Sequence, residues 1–409
     1  MKRRKLLQQA SLLAGATLIP ISAQGWALRS SAQTNNRQRL IVVFLRGAVD
    51  GLNVVVPYTE AAYYEARPTI AIPQPGKKNG AIDLDGTFGL HPALKSLMPW
   101  WEKGKLAFVH ACGSPNNTRS HFDAQFYMES GTPGVKNTQD GWMNRLLAAI
   151  PRDRLTQAVN VGDMTPQILA GEMFVTSLAT GRKSRRRLPL DRPQINQYFD
   201  RLYRGNDAVS RAYQEGREAR EIVLADLESE MMAADQGAPP PSRFVQDARN
   251  LARLMRGDSR TQLAFMSLGR WDTHVNQGGS QGQLATKLRQ LANGLNTLAE
   301  SLDSIFTDTT IAIVSEFGRT VKENGNRGTD HGHGNVMWLL GDKVRGGRVY
   351  GEWPGLGEEE LYQGRDLEVT TDFRDVIASV LTEHMEIDSN QLRQIFPNYQ
   401  IRNRLNLLG

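Results

Sequence analysis

The chain has 409 residues, with 49 Lys and Arg against 43 Asp and Glu, for a formal net charge of +6. Four of those bases (Lys2, Arg3, Arg4, Lys5) lie in residues 1–27, which hold no acid. The remainder therefore carries only +2, which gives no electrostatic case for nucleic acid. Cys112 is the sole cysteine, which excludes an intrachain disulfide and a thiolate metal cluster, so any metal must be held by nitrogen and oxygen.

Residues 1–27 read as an export signal: a charged start with the pair Arg3-Arg4, an apolar run from Leu12 to Ile21, then small residues to a cleavage point after Ala27. The run is too short to span a bilayer, and the arginine pair points to the twin-arginine export machinery. The expected location is periplasmic or extracellular. Residues 28–37 are polar and non-periodic and read as a flexible linker ahead of one large domain, 38–409.

Leu40 to Leu45 is a continuous apolar run suited to a strand buried on both faces. It ends in a turn of small residues carrying Asp50. A second strand is expected at Leu106 to Cys112, followed by a helix start with Ser120 as N-cap and Asp123 in the first turn. The run 182–187, rich in Arg and Lys, reads as a solvated loop, with contact to an anion or membrane surface as the alternative. Residues 205–257 are expected to form a helical insertion, with helices over 207–234 and 244–256 around a Pro-rich break at 237–241. Further strands are expected at 262–268, 310–314 and 335–340. The leucines 284, 288, 291, 295, 298 and 302 mark a long amphipathic helix over 282–306. Strand, helix, strand in this order makes a parallel crossover unit, hence an α/β fold with a central, mostly parallel sheet flanked by helices.

In such sheets ligands bind beyond the carboxyl ends of the strands. Polar residues fall in those places here: Asp50, Ser120-His121, Asp272 with His274, Glu316 with Arg319, and His331-Gly332-His333. Each has a plain alternative. Asp50-Gly51 is an ordinary turn, Asp272 and His274 could be a simple hydrogen-bonded pair, and Gly-His-Gly loops occur without metal. Their recurrence after successive strands argues for one site. A set of Asp, Glu and His without thiolate suits zinc first, with manganese, calcium or magnesium as alternatives. The remaining histidines read as structural: His91 as a helix cap, His110 in the core, His384 as a cation at a helix end.

Taken together, Arg46-Gly-Ala-Val-Asp50-Gly-Leu-Asn53, Leu90-His-Pro-Ala-Leu94, Ser120-His-Phe-Asp-Ala-Gln125, Trp271-Asp-Thr-His274, Ser315-Glu-Phe-Gly-Arg-Thr320 and Gly328-Thr-Asp-His-Gly-His-Gly334 resemble the family catalogued as domain of unknown function 1501. That family is similar in layout to the alkaline phosphatase/sulfatase superfamily. The resemblance implies an alkaline-phosphatase-like fold with one or two divalent ions held by Asp50, Asp272, His274, Glu316, and His331 or His333. Ser120 would be the nucleophile. Phe317 stands where a further imidazole is expected, so His121, or the extra histidine of 331 and 333, is a candidate replacement. Arg46, Arg119 or Arg319 would clamp an anionic group. The implied function is metal-dependent hydrolysis of phosphate or sulfate esters, with an anionic small-molecule or polymer substrate. The alternative is a non-catalytic exported protein that keeps the fold and binds a partner or anionic polymer. Substrate and oligomeric state are not legible in the sequence.

Overall fold

The first strand shows why the chain forms layers. In a computed structural model, which describes residues 38–150, 157–162, 164–178, 232–258 and 260–409, Ile41, Val43 and Leu45 enter one apolar cluster. Leu40, Val42 and Phe44 enter another. Side chains alternate along a strand, so an unbroken apolar run needs cover on both faces. The helices Phe244–Gly257 and Gln283–Leu302 supply it on one face. Trp142–Ala149, Phe373–Ser379 and Ser389–Ile395 supply it on the other. Helices therefore lie on both sides of the sheet.

The strands in chain order are β1 (Arg39–Leu45), β2 (Val55–Val56), β3 (Ile82–Asp83), β4 (Gly89–Leu90), β5 (Leu106–Gly113), β6 (Gln157–Val161), β7 (Val175–Leu178), β8 (Thr261–Leu268), β9 (Thr309–Ser315), β10 (Asn335–Gly341), β11 (Arg348–Tyr350) and β12 (Thr371–Asp372). The main sheet runs β11-β5-β10-β9-β1-β8-β6-β7, with β12 beside β5, and β2-β4-β3 form a small separate sheet. Every pairing in the main sheet is parallel except those of β10, which is antiparallel to β5 and to β9. The fold is thus α/β with a central, mostly parallel sheet flanked by helices.

The long helix ends at Leu302, short of the expected 306. Asp303 takes a positive φ of 51° there, and the chain continues as a 3-10 turn. Of the expected insertion, 205–231 lies outside the described residues. Phe244–Gly257 does not stand apart: Phe244, Ala248, Leu251, Ala252 and Met255 are buried in the same cluster as the leucines of Gln283–Leu302. His91 caps its helix by accepting from Ala93 N, and His110 is buried, as expected. His384 differs. It is buried, contacts Arg39 O at 3.0 Å through Nε2, and burial lowers its pKa, so it is a neutral donor and not a helix-end cation. Among the described residues no helix is long and apolar enough to cross a membrane. The signal (1–27), the linker (28–37) and the basic run at 182–187 lie outside the described residues.

Candidate metal centre

Strand direction gathers the site. β1, β5, β8 and β9 run the same way, so their carboxyl ends share one edge of the sheet. Because β10 is reversed, its amino end, and with it the 328–334 loop, lies at that same edge. Asp272 and His274 follow β8, Glu316 and Arg319 follow β9, and His121 opens the helix that follows β5. Ser120 caps that helix, accepting from Asp123 N.

Glycines let these loops close on one another. A Cβ on Gly47 would stand 2.6 Å from the backbone nitrogen of Asp272, and one on Gly328 would stand 2.3 Å from the carbonyl of His274. Close backbone approach explains these glycines.

Three imidazoles meet at this edge. His121 Nε2 is 2.9 Å from His331 Nε2, which is 3.0 Å from His274 Nε2. Asp272 stands beside all three: Oδ2 is 3.4 Å from His121 Nε2, and Oδ1 is 2.9 Å from His274 Nε2 and 3.6 Å from His331 Nε2. The other ring nitrogens are all tied to acceptors. His121 Nδ1 is 2.8 Å from Glu316 Oε1, His274 Nδ1 is 3.1 Å from Asp330 Oδ1, and His331 Nδ1 is 2.9 Å from Arg119 O. Ionised carboxylates and carbonyls only accept, so each Nδ1 carries a hydrogen, and in the neutral form of each ring Nε2 presents its lone pair inward. Only a cation, a proton or a metal ion, suits lone pairs at this spacing. Donors around a tetrahedral zinc ion stand roughly 3.3 Å apart, and the observed spacings bracket that value. His121, Asp272 and His331 each offer one atom within 4.8 Å of the others. The outer partners, a carboxylate or carbonyl behind each ring, are those that orient metal-binding histidines generally.

The charges agree. Burial pushes Asp272 up, but Arg319 and the three imidazoles hold its carboxyl well below the usual range. Burial also raises Glu316, yet its bonds with His121 and Gln125 bring it down to about 2. Asp330, bonded to His274 and Asn324, falls to about 2. Burial lowers His121, but Asp272 and Glu316 outweigh it and raise the ring to about 9, whereas burial prevails at His331 and lowers it. A field that holds a proton on His121 favours any cation placed between the rings.

The structure brings Asp272, His274, His331 and His121 together and puts Glu316 directly behind them. Glu316 is fully buried, and its carboxylate accepts from Gly47 N, Gln125, His121 and Ser315. It is thus a support for His121. Phe317 packs against His121 and His331 at ring distances of 4.9 and 5.2 Å, an apolar wall where the sequence suggested a lost ligand.

Besides Glu316, two expected ligands stand outside this set. Asp50 is fully buried, with Arg67 bound to both oxygens (2.6 and 3.0 Å) and Gln277 to Oδ2 (2.6 Å), so it has its counter-charge already. His333 stacks on Tyr362 at 4.6 Å, and burial lowers its pKa to about 4.

Among the expected anion clamps, Arg46 is buried against Glu129 (2.5 Å) and Gln125. Arg319 is buried against Asp272 (2.5 Å). Arg119 is partly exposed and paired with Asp366 at 2.6 Å. Ser120 is exposed and lies between two residues of the cluster's frame, Arg119 and His121. Asp330 was missed from sequence, although its place before His331 was a usable signal. Gln125 closes a quoted motif but was given no role, and nothing in the sequence marked Arg67 or Gln277.

The model of the family described as protein of unknown function (DUF1501) matches residues 37–396, and the chain belongs to that family. No curated protein matches it. Solved structures with likeness to the chain include a protein in the alkaline phosphatase superfamily from Vibrio parahaemolyticus. It is 10% identical with a TM-score of 0.36, and the match covers 77% of this chain and 63% of that one, under two thirds of its length. The C-terminal periplasmic domain of EcEptC from Escherichia coli matches at 8% identity over 90% of this chain and 89% of that one, TM-score 0.40. The phosphonate monoester hydrolase of Agrobacterium radiobacter matches at 12% identity over 85% and 74%, TM-score 0.31. Likenesses this low decide nothing about chemistry, which has to come from the side chains themselves.

Proposed function

We propose that this chain is an exported, metal-dependent hydrolase of phosphate or sulfate esters with a one-ion centre. Asp272, His121, His274 and His331 would hold the ion, zinc above the other candidates because three imidazoles dominate the donor set. The observation that carries the reading is the inward convergence of three Nε2 atoms whose Nδ1 partners leave no other neutral tautomer. One ion suits the geometry better than two, since Asp50 is neutralised by Arg67. Export rests on the Arg3-Arg4 signal pattern of residues 1–27.

When bound, a divalent ion supplies charge neutralisation and activation of an oxygen beside it. The chain's own residues do the rest. His274 and His331 keep 10% and 12% of their side chains exposed and Asp330 keeps 57%, so an ester reaches the centre from their side. Ser120, exposed at the start of the ten-residue helix His121–Ser130, provides the attacking oxygen. The bond from Ser120 Oγ to the phosphorus or sulfur forms as the bond to the ester oxygen breaks, the seryl proton leaving with the departing alcohol, and water then hydrolyses the seryl ester to regenerate Ser120. N–H groups of the first helical turn stabilise the charge on the transferred group. Glu316, Asp330 and the Arg119 carbonyl keep the rings in place.

The test is metal content by element analysis, together with aryl phosphate monoesters, diesters and sulfates offered to the wild type, Ser120→Ala and His331→Ala. Near-stoichiometric zinc that is lost in His331→Ala, and turnover lost in Ser120→Ala, are expected. A wild type without metal ends the reading. Metal without turnover of any ester transfers the chain to the binding role.

A further inference from the structure

Arg319 makes an unusual contact for a guanidinium. It is 1% exposed, and among the described residues its one side-chain hydrogen bond runs from Nη2 to Asp272 Oδ1. Its Nε and Nη1 are buried with no hydrogen-bond partner, and so is Asp272 Oδ2. Orphaned donors inside a protein are costly, so a side chain held this way is kept there for its charge more than for its hydrogen bonds.

Asp272 is itself fully buried, and that guanidinium is its permanent counter-charge, the imidazoles beside it being charged only when protonated. The same carboxylate is the one that lies beside all three inward-facing nitrogens. Two cations thus have a claim on it. The remaining negative charge that draws a cation sits behind the rings, on Glu316 and Asp330.

Resting on the one-ion reading above, we infer that Arg319 is a positioning residue that competes with the metal for Asp272 and sets the affinity of the centre. The guanidinium keeps Asp272 compensated and aimed at the rings, so the ligand set is assembled before an ion arrives. Its positive charge beside a ligand also weakens binding of a divalent cation, because like charges at a few ångströms in a poorly screened interior repel strongly. This role replaces the substrate clamp that the resemblance implies for Arg319. A clamp would face solvent, and Arg319 does not.

The experiment is zinc titration of chelator-treated full-length wild type, Arg319→Gln and Arg319→Lys, each in competition with a chromophoric chelator. Thermal midpoints are read with and without zinc. Arg319→Gln keeps a donor for Asp272 but loses the charge, and should bind zinc about ten-fold or more tighter. It should also show a larger zinc-induced rise in midpoint, because the ion takes over the compensation of Asp272. Arg319→Lys keeps the charge and should stay within about three-fold of wild type. Unchanged or weaker binding in Arg319→Gln overturns the inference. If that variant does not fold alone, recovery on refolding with zinc supports competition, and failure with zinc present overturns it. A wild type that binds no zinc removes the centre itself, an outcome separate from wild-type binding with no effect of Arg319.

Discussion

Two buried aspartates sit beyond the ends of neighbouring parallel strands, each against a buried arginine: Asp50 with Arg67 after β1, and Asp272 with Arg319 after β8. In the first pair nothing is left over. The five N–H groups of Arg67 go to both oxygens of Asp50, Asn53 Oδ1 and the carbonyls of Thr320 and Val321. Gln277 adds a bond to Asp50 and accepts from Thr273 and Thr329. In the second pair Arg319 spends one donor, Asp272 keeps an oxygen without a hydrogen bond, and three ring nitrogens face the carboxylate. The same ion pair is a structural rivet where every polar atom is matched, and a candidate site where the matching is incomplete.

The comparison can be broken at either end. Arg67→Ala leaves Asp50 buried and unpaired, and should cost about 3–5 kcal/mol of stability by urea unfolding while zinc stoichiometry in the folded fraction stays the same. Loss of zinc at unchanged stability would reverse the two roles. His331→Ala should do the opposite. Zinc affinity should drop by about 100-fold, at least the upper end seen for outer partners, with a small change in the metal-free melting midpoint, since the ring is partly exposed. Glu316→Gln and Asp330→Asn remove only the charge behind a ring and should weaken zinc by about 10- to 100-fold in chelator competition. Equal affinity in both would mean that the rings are held by packing alone.

The last contrast concerns pH. His91, near Asp50, is lowered to about 4 chiefly by burial. Its folded pKa lies below the unfolded value near 6.5, so the unfolded chain takes the proton first. The stability it supports is whole above pH 6.5 and is lost as pH falls from 6.5 towards 4, at about 1.4 kcal/mol per pH unit. In His91→Asn that slope of the urea midpoint should become shallower. An unaltered slope would show that His91 is not the group responsible.

The central strand, the long leucine helix and the residues of the post-strand loops were legible because periodicity and burial are local properties of the chain. Asp272, His274, Glu316, Arg319 and His331 were flagged on that basis, and all five lie in or against the cluster. His121 was only a substitute in the sequence reading and is a full member in the structure. Asp50 looked equivalent to Asp272 because both follow a buried strand.

By itself the sequence determined the strands β1, β5, β8, β9 and β10 and the helices that follow β5, precede β8 and precede β9, that a metal here would see nitrogen and oxygen, and which family the motifs resemble. Only the tertiary structure decided which acids are free to serve a cation. Arg67 lies 17 residues from Asp50, and Gln277 lies 227 away. A charge is satisfied by whatever stands within a few ångströms, and only folding sets that distance. The reversal of β10, which carries His331 to the shared edge, is likewise a property of the assembled sheet and not of any one segment.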